Sequence, residues 1–422
     1  MKQLVAARSV AVSMLGILLV AACGTSATSS NGSLSGTIVM SMIGPLTGQY
    51  GPYGIPMLEG AETAAKVIND NGGINGAKLQ MDQVDTVGDP GDAVTALNKE
   101  LAIGNPVALI GPLSIEIKAV QPIFDGRHIV DGLNAGSPAY DTNTDPYLWR
   151  CNASDSQLTV AEAALANEKG YKTAVAMVTS AGGLLSQIPT IKKAFEALGG
   201  TLVDSIPLLN GQTSYRSEVQ KAINDKPDVI FLSVDPASAS VIFSNFQELD
   251  NLAIPFIGTD STALPEFVKA VGPNVAKAHM TSVQGSSALT SAGDQFKAAY
   301  QQLNGHAPYG GAAYAYDCTM TFALAIAKAN NANPAVWVNS ITAVSNPPGV
   351  LVSDYKTALA DIKAGIKINY DGVSGPMDFD QYHNVAGAWD VEQATGKADG
   401  SVSTIETISA ATIQGVISKE GP

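Results

Sequence analysis

The stretch Thr37–Asn71, TIVMSMIGPLTGQYGPYGIPMLEGAETAAKVINDN, decides the fold class. Its first seven residues, Thr37–Ile43, are a near-continuous apolar run, as expected for a parallel strand covered on both faces. After a loop rich in Gly, Pro and Thr, Pro56–Asn71 carries apolar residues at helical spacing. The same strand–loop–helix unit then recurs. Further strands are expected at Leu79–Val84, Val107–Ile110, Ile129–Leu133, Thr173–Val178, Leu202–Pro207, Val229–Val234 and Phe256–Gly258. Between them lie expected helices at Ala93–Ile103, Gln157–Lys169, Pro189–Leu198, Arg216–Asn224 and Ala237–Leu249. Alternation sustained this long implies an α/β fold of doubly wound parallel sheets, not a barrel or a sandwich.

The units fall into two series, one from Gly36 to about Arg150 and one from about Asn152 to His279. Two lobes with a cleft between them would place ligand loops at the carboxyl ends of strands. Beyond them, helices are expected at Gln295–Asn304, Tyr314–Ala329 and Tyr355–Ala364, before the Gly- and Asp-rich Asn369–Gly387. The tail after Gly396 reads as weakly structured, with some strand character over Thr404–Ile417.

Composition narrows the function. Among 422 residues, 45% are apolar and 15% charged, which excludes a disordered or fibrous chain. Lys+Arg 24 against Asp+Glu 38 gives a net charge of −14, so the basic face that nucleic acid requires cannot be assembled. Four His and three Cys leave little material for a metal cluster, and no cofactor is expected. Asp82, Asp85, Asp89 and Asp92 lack the ligand spacing of a calcium loop. Gly72–Gly76 follows a helix, so it is no dinucleotide fingerprint. No G-x-S-x-G is present, and His128, His279, His306 and His383 are scattered, which argues against a hydrolase.

The N-terminus gives the compartment. Lys2 and Arg8 precede the apolar run Val10–Val20, which is shorter than the ~20 residues of a membrane span and reads as a secretory signal over residues 1–22. Val20-Ala21-Ala22-Cys23 resembles the lipobox of bacterial lipoproteins. That resemblance implies lipidation of Cys23, extracytoplasmic anchoring to the cell membrane, and residues 23–36 as a flexible tether. Without the two signal cations, the net charge becomes 22 − 38 = −16.

Further motifs resemble the type I periplasmic binding proteins of the branched-chain amino acid (Leu/Ile/Val-binding) family. They are Ile43-Gly44-Pro45-Leu46-Thr47-Gly48 with Tyr53-Gly54, Gly60-Ala61-Glu62, Ile68-Asn69, Gly72–Gly76 and Asp85 through Pro90. Leu109–Ser114, Trp149-Arg150, Asp155, Gly258-Thr259-Asp260, Tyr316-Asp317, Gly372–Pro376 and Phe379-Asp380 continue the series in the family's order. The resemblance implies two Rossmann-like lobes that close on one small ligand about a three-stranded hinge. It assigns residues 37–151 plus 282–385 to the N-terminal lobe, and 152–281 plus 386–422 to the C-terminal lobe.

It also points to site residues. Ser114 would bind a ligand carboxylate, or else cap the following helix. Ala135, Gly136 and Ser137, at a strand's carboxyl end, would present backbone groups. Asp260 would pair with a ligand ammonium, or form an Asx-turn. Tyr53 would wall the cleft. Asp235 is expected among the ligand-binding residues, though it stands where an aromatic is common in the second lobe, a departure that leaves the branched-chain ligand itself open. Cys151 and Cys318 are either a disulfide or two separately buried thiols. The expected function is a lipid-anchored, monomeric substrate-binding protein that delivers a small polar solute, an amino acid or related carboxylate or amide, to an ABC permease. A ligand-sensing receptor for a signalling partner, or a binder of an aromatic acid, is the alternative.

Overall fold

The computed structural model describes residues 34–48, 50–286 and 293–419; the signal segment and Cys23 lie outside them. The opening apolar run becomes β1 (Thr37–Gly44), followed by β2 (Lys78–Asp85), β3 (Ala108–Ile110), β4 (Val130–Leu133) and β5 (Leu148–Arg150). These form a wholly parallel sheet in the order β2-β1-β3-β4-β5. The order reverses at β1, so a crevice opens between the carboxyl ends of β1 and β3.

The second sheet contains β6 (Thr173–Thr179), β7 (Thr201–Leu208), β8 (Val229–Ser233), β9 (Phe256–Gly258) and β10 (Met280–Gly285). A separate parallel pair, β11 (Val350–Val352) and β12 (Ile368–Tyr370), comes next in the chain. Then β13 (Trp389–Ala394) and β14 (Val402–Ile408) complete the second sheet, in the order β14-β13-β10-β9-β8-β6-β7. Here the order reverses at β6, next to β8. β13 runs antiparallel to β10, and β14 antiparallel to β13, which corrects the expectation of purely parallel sheets.

Each sheet buries both faces. Met40, Met42 and Ile110 face a core built with Ala61, Ala64, Phe322 and Trp337, while Ile43, Leu109 and Leu133 face Leu97, Val120 and Phe124 on the other side. In the second sheet Ala176 and Phe231 pack with Leu158 and Phe195, and Met177 and Leu232 with Phe243 and Phe246. This two-sided burial is why the strands read as continuous apolar runs.

Two boundaries differ most from expectation. The first helix begins at Gly51 instead of Pro56, because Pro52 is tolerated in a first turn and Gly54 lets the helix lie against the Pro45 carbonyl, where a Cβ would collide. The tail is ordered as β14 and a helix, Ala410–Ile417, whose start is fixed by Ser409 accepting the Thr412 N–H at 3.1 Å.

Cys151 follows β5, and Cys318 lies in the helix Ala312–Ala329; the two form a disulfide with Cα atoms 5.5 Å apart. Gly132 of β4 lies under the bridge, where a Cβ would collide with the Cys318 sulfur. One residue before Cys318, buried Asp317 accepts hydrogen bonds from Tyr370 Oη (3.0 Å), Val373 N (2.9 Å), and Ser374 N and Oγ (2.7 and 2.5 Å). The Tyr316-Asp317 and Gly372–Pro376 motifs are therefore a single structural unit.

Asp131 of β4 is fully buried, and neither of its carboxylate oxygens has a hydrogen-bond partner. Burial, then the neighbouring Asp125 and Asp145, pushes its carboxyl well up. Burial and a hydrogen bond with Asp145 raise Asp125 to about 7. Such groups hold protons in the folded chain that the unfolded chain has released. For Asp125 that stabilisation is complete below pH ~4, the unfolded value, and is lost as pH rises through about 7. The melting temperature should therefore fall by a few degrees between pH 5 and pH 8. Asp131→Asn should flatten that slope, and an unchanged slope would show that this cluster does not control it.

Candidate functional site

The crevice of the first sheet is shaped by three loops. Asp85, at the end of β2, accepts hydrogen bonds from Leu46 N (2.9 Å), Thr47 Oγ1 (2.6 Å) and Val87 N (2.9 Å), which pins the Pro45–Thr47 loop ahead of Tyr53. After β3, the Ser137 N–H donates to Ser114 Oγ at 3.3 Å and so joins the β3 and β4 loops. Ser114 does not cap the following helix, which begins at Ile117 after Glu116; it is exposed on the preceding turn. Glu116 is buried below, taking hydrogen bonds from Thr86 Oγ1 and from Leu113 N.

The β4 loop is held from behind by Arg150. Its Nη1 donates to the Ser137 carbonyl at 3.0 Å, its Nε to Asn384 Oδ1 at 2.8 Å, and its Nη2 pairs with Asp141. Ala135 is buried, while Gly136 and Ser137 are half-buried. The Gly136 carbonyl accepts the Asp155 N–H at 2.7 Å, and the Asp155 carboxylate fills the space that a Cβ on Gly136 would need. Asp155 thus lies directly against the β4 loop, at the start of the helix Asp155–Glu168 that leads into the second sheet.

From the second sheet, Asp260 follows the carboxyl end of β9. It is open to solvent, yet protein walls its carboxyl closely enough that burial raises it. One oxygen, Oδ1, accepts the Ser261 N–H at 2.8 Å. Its charge reaches across the cleft. Burial and then Asp260 raise the Tyr53 phenol, and the same two causes raise Tyr314 to about 12. Burial, Asp260 and Asp141 push Asp155 up to about 7, with Arg150 pulling the other way. Buried Glu162 is raised well above its usual value, by burial first and then by Asp260. Tyr53, Asp155, Glu162, Asp260 and Tyr314 therefore share one electrostatic environment.

Asp235 is committed elsewhere: its two oxygens take the Ser238 N–H (3.0 Å) and hydroxyl (2.6 Å) as the cap of the helix Pro236–Glu248. Glu162 and Tyr314 were not singled out from sequence. The signal for Glu162 was an acid inside the apolar helical run Val160–Leu165; for Tyr314 no local signal existed, since its place depends on the return to the first lobe. Among the described residues, no three His, Cys, Asp or Glu are gathered to hold a metal ion, and no helix is long and apolar enough to cross a membrane.

The cleft is thus lined by carboxyls whose ionisation burial and mutual repulsion oppose. An amine entering it meets Asp155 in its ionised form only above about pH 7, so amine binding should tighten as pH rises from 6 to 8. Titration calorimetry with leucine at both pH values checks this; weaker binding at pH 8 would remove Asp155 from the contact.

A family model described as periplasmic binding protein matches residues 37–398. Among curated proteins, the chain is 24% identical over 361 residues to the chemotactic signal transduction system substrate-binding protein BasB of Halobacterium salinarum, covering 82% of this chain and 83% of that one. The fold is similar to the branched-chain amino acid transporter substrate binding protein LivJ of Streptococcus pneumoniae in complex with isoleucine, with TM-score 0.69 and 19% identity over 88% of this chain and 99% of that chain. It is likewise similar to an ABC transporter solute binding protein of R. palustris in complex with 4-hydroxybenzoate, with TM-score 0.68 and 18% identity over 88% and 97%.

Proposed function

This chain belongs to the periplasmic binding protein family, matched over residues 37–398, and from that premise we propose that it captures an amine-bearing solute, an amino acid or a close relative, for an ABC importer. The family consists of solute-binding proteins of transporters, not enzymes. The observation that carries the ligand class is Asp260, solvent-open with its carboxyl walled in by protein, across the cleft from Tyr53. A carboxylate in a closing, water-poor cleft favours an ammonium strongly. Ser114 and the amides around Gly136 and Ser137 would face the solute's polar end from the opposite lobe. In this reading Cys23 carries the lipid anchor, the chain acts outside the cytoplasm as a monomer, and a membrane permease receives the solute.

Calorimetry against amino acids, amides, and organic and aromatic acids should find one class with micromolar or tighter affinity, about −8 kcal/mol. The bound compound should be recovered unchanged. Conversion of it, or tightest binding by an aromatic acid without an amine, would overturn this reading. A second reading, a receptor that hands its solute's signal to a partner, is favoured by the likeness to a chemotactic substrate-binding protein. Coupling to a permease in reconstituted vesicles separates the two.

A further inference from the structure

The β4 loop of the first sheet and the helix that leads into the second sheet meet at Asp141. Arg150, 2% exposed at the end of β5, directs Nη2 to Asp141 Oδ1, Nη1 to the Ser137 carbonyl and Nε to Asn384 Oδ1. Asn384 in turn donates through Nδ2 to the Asp141 carbonyl at 2.9 Å. Asp141 is thereby fixed to the first sheet by both side chain and backbone. Ser137 and Asp141 also bracket one short turn, Pro138–Tyr140, so whatever fixes Asp141 sets the place of Ser137. The other carboxylate oxygen, Asp141 Oδ2, accepts the Ser156 hydroxyl at 2.6 Å. Ser156 lies in the first turn of the helix Asp155–Glu168, which packs in the core of the second sheet with Ala176 and Phe231. The next residue makes a different kind of contact. Gln157 exchanges hydrogen bonds, both 3.1 Å, with the Val385 carbonyl and the Gly387 N–H, on the stretch by which the chain passes from the first core to β13. That contact grips a connection, which bends with a hinge. The Ser156–Asp141 bond instead joins two groups that are each anchored to a different sheet.

We propose that Asp141 is a positioning residue for solute capture: its bond with Ser156 forms as the lobes close and aligns the Gly136–Ser137 loop with the second lobe. The proposal rests on the solute-capture reading above and adds to it the contact that sets the balance of open and closed forms. A hydrogen bond to a charged acceptor stabilises more than a neutral one. Where such a bond exists only in the closed form, its whole stabilisation shifts the population toward closure, and solute affinity follows the fraction that is closed. The Asp141 side chain is 30% exposed, so water competes for the carboxylate and the effect falls at the lower end for such bonds. Beside it, the bond of 2.7 Å from the Asp155 N–H to the Gly136 carbonyl orients the same loop through backbone alone.

Removing Asp141 would strand the buried Arg150 cation and unsettle the fold, so Ser156 is the position to change. Ser156→Ala leaves the helix start intact, because the cap is Ser154 Oγ accepting the Ser156 N–H at 3.0 Å. Spin labels at Asp92→Cys and Glu266→Cys, exposed positions on helices that follow β2 and β9, report the distance between the lobes in the solute-free protein. Ser156→Ala should move the balance about 10-fold toward the longer distances, and Ser156→Thr, which keeps a hydroxyl, should restore it. With leucine as the probe, Ser156→Ala should speed dissociation about 10-fold and leave association nearly unchanged. Identical distance distributions with Ser156 and Ser156→Ala would overturn the proposal. A shift that Ser156→Thr does not reverse would assign the effect to packing and overturn it as well. Leucine binding alongside identical distributions would leave solute capture standing. A distance shift in a protein that binds no amino acid would uphold the interlobe contact and count against the capture reading.

Discussion

Replacing Cys151 and Cys318 together with Ala should destabilise the protein by about 4–5 kcal/mol in urea unfolding. The bridge closes a loop with a sequence separation of 167, and chain entropy removed from the unfolded state grows with the logarithm of that length. Both side chains are buried, Cys151 at 1% and Cys318 at 0% exposure, so the packing lost with the two sulfur atoms adds to the cost. The bridge joins the end of β5 to the helix Ala312–Ala329 within the packing of the first sheet, and solute affinity should be nearly unchanged in the folded variant. An unaltered urea midpoint would show that the bridge contributes no net stability. Two alkylatable thiols in the unfolded, unreduced mature chain would show that it does not form.

Asp260→Asn should weaken binding of an amine-bearing solute by about 2–5 kcal/mol, the cost of truncating one partner of a desolvated charge pair. The substitution keeps the hydrogen bond from the Ser261 N–H within reach, so the turn after β9 should persist and the melting temperature should hardly move. Because Asp260 also raises Asp155, Glu162 and Tyr53, its removal should shift the pH dependence of binding to lower pH as well. Undiminished affinity with the fold intact would assign Asp260 to the turn alone and point to a solute without an amine.

The core strands were legible because burial on both faces writes itself as apolar runs: β1, β2, β6, β7 and β8 each lie within two residues of expectation at either end. Three of the strands that escaped have a diluted pattern. Leu148–Arg150 is three residues long and ends on an Arg drawn inward by Asp141 and Asn384. Met280–Gly285 and Trp389–Ala394 interleave polar side chains such as Ser282, Asp390 and Glu392 that find burial only through tertiary contacts. At the site, Ser114 and Ser137 could be named because they follow apolar strands, and the structure joins them by a hydrogen bond. Asp235 follows a strand just as Asp260 does, and sequence could not say that one is consumed by Ser238 and the other left facing the cleft. Glu162 was missed since an acid in a helix reads as a solvent-facing residue until the sheet beneath it is known.

The disulfide has a consequence for cleavage. Residues 151 to 318 form a covalent ring, and β6 through β10 all lie inside it. A protease that cuts any one peptide bond between Cys151 and Cys318 produces two fragments still joined through sulfur. One retains Cys151 with β1 through β5, and the other retains Cys318 with β13 and β14. A chain nicked in a loop such as that between β6 and β7 therefore remains one molecule, and on a non-reducing gel it should migrate as a single band that separates only after a thiol is added.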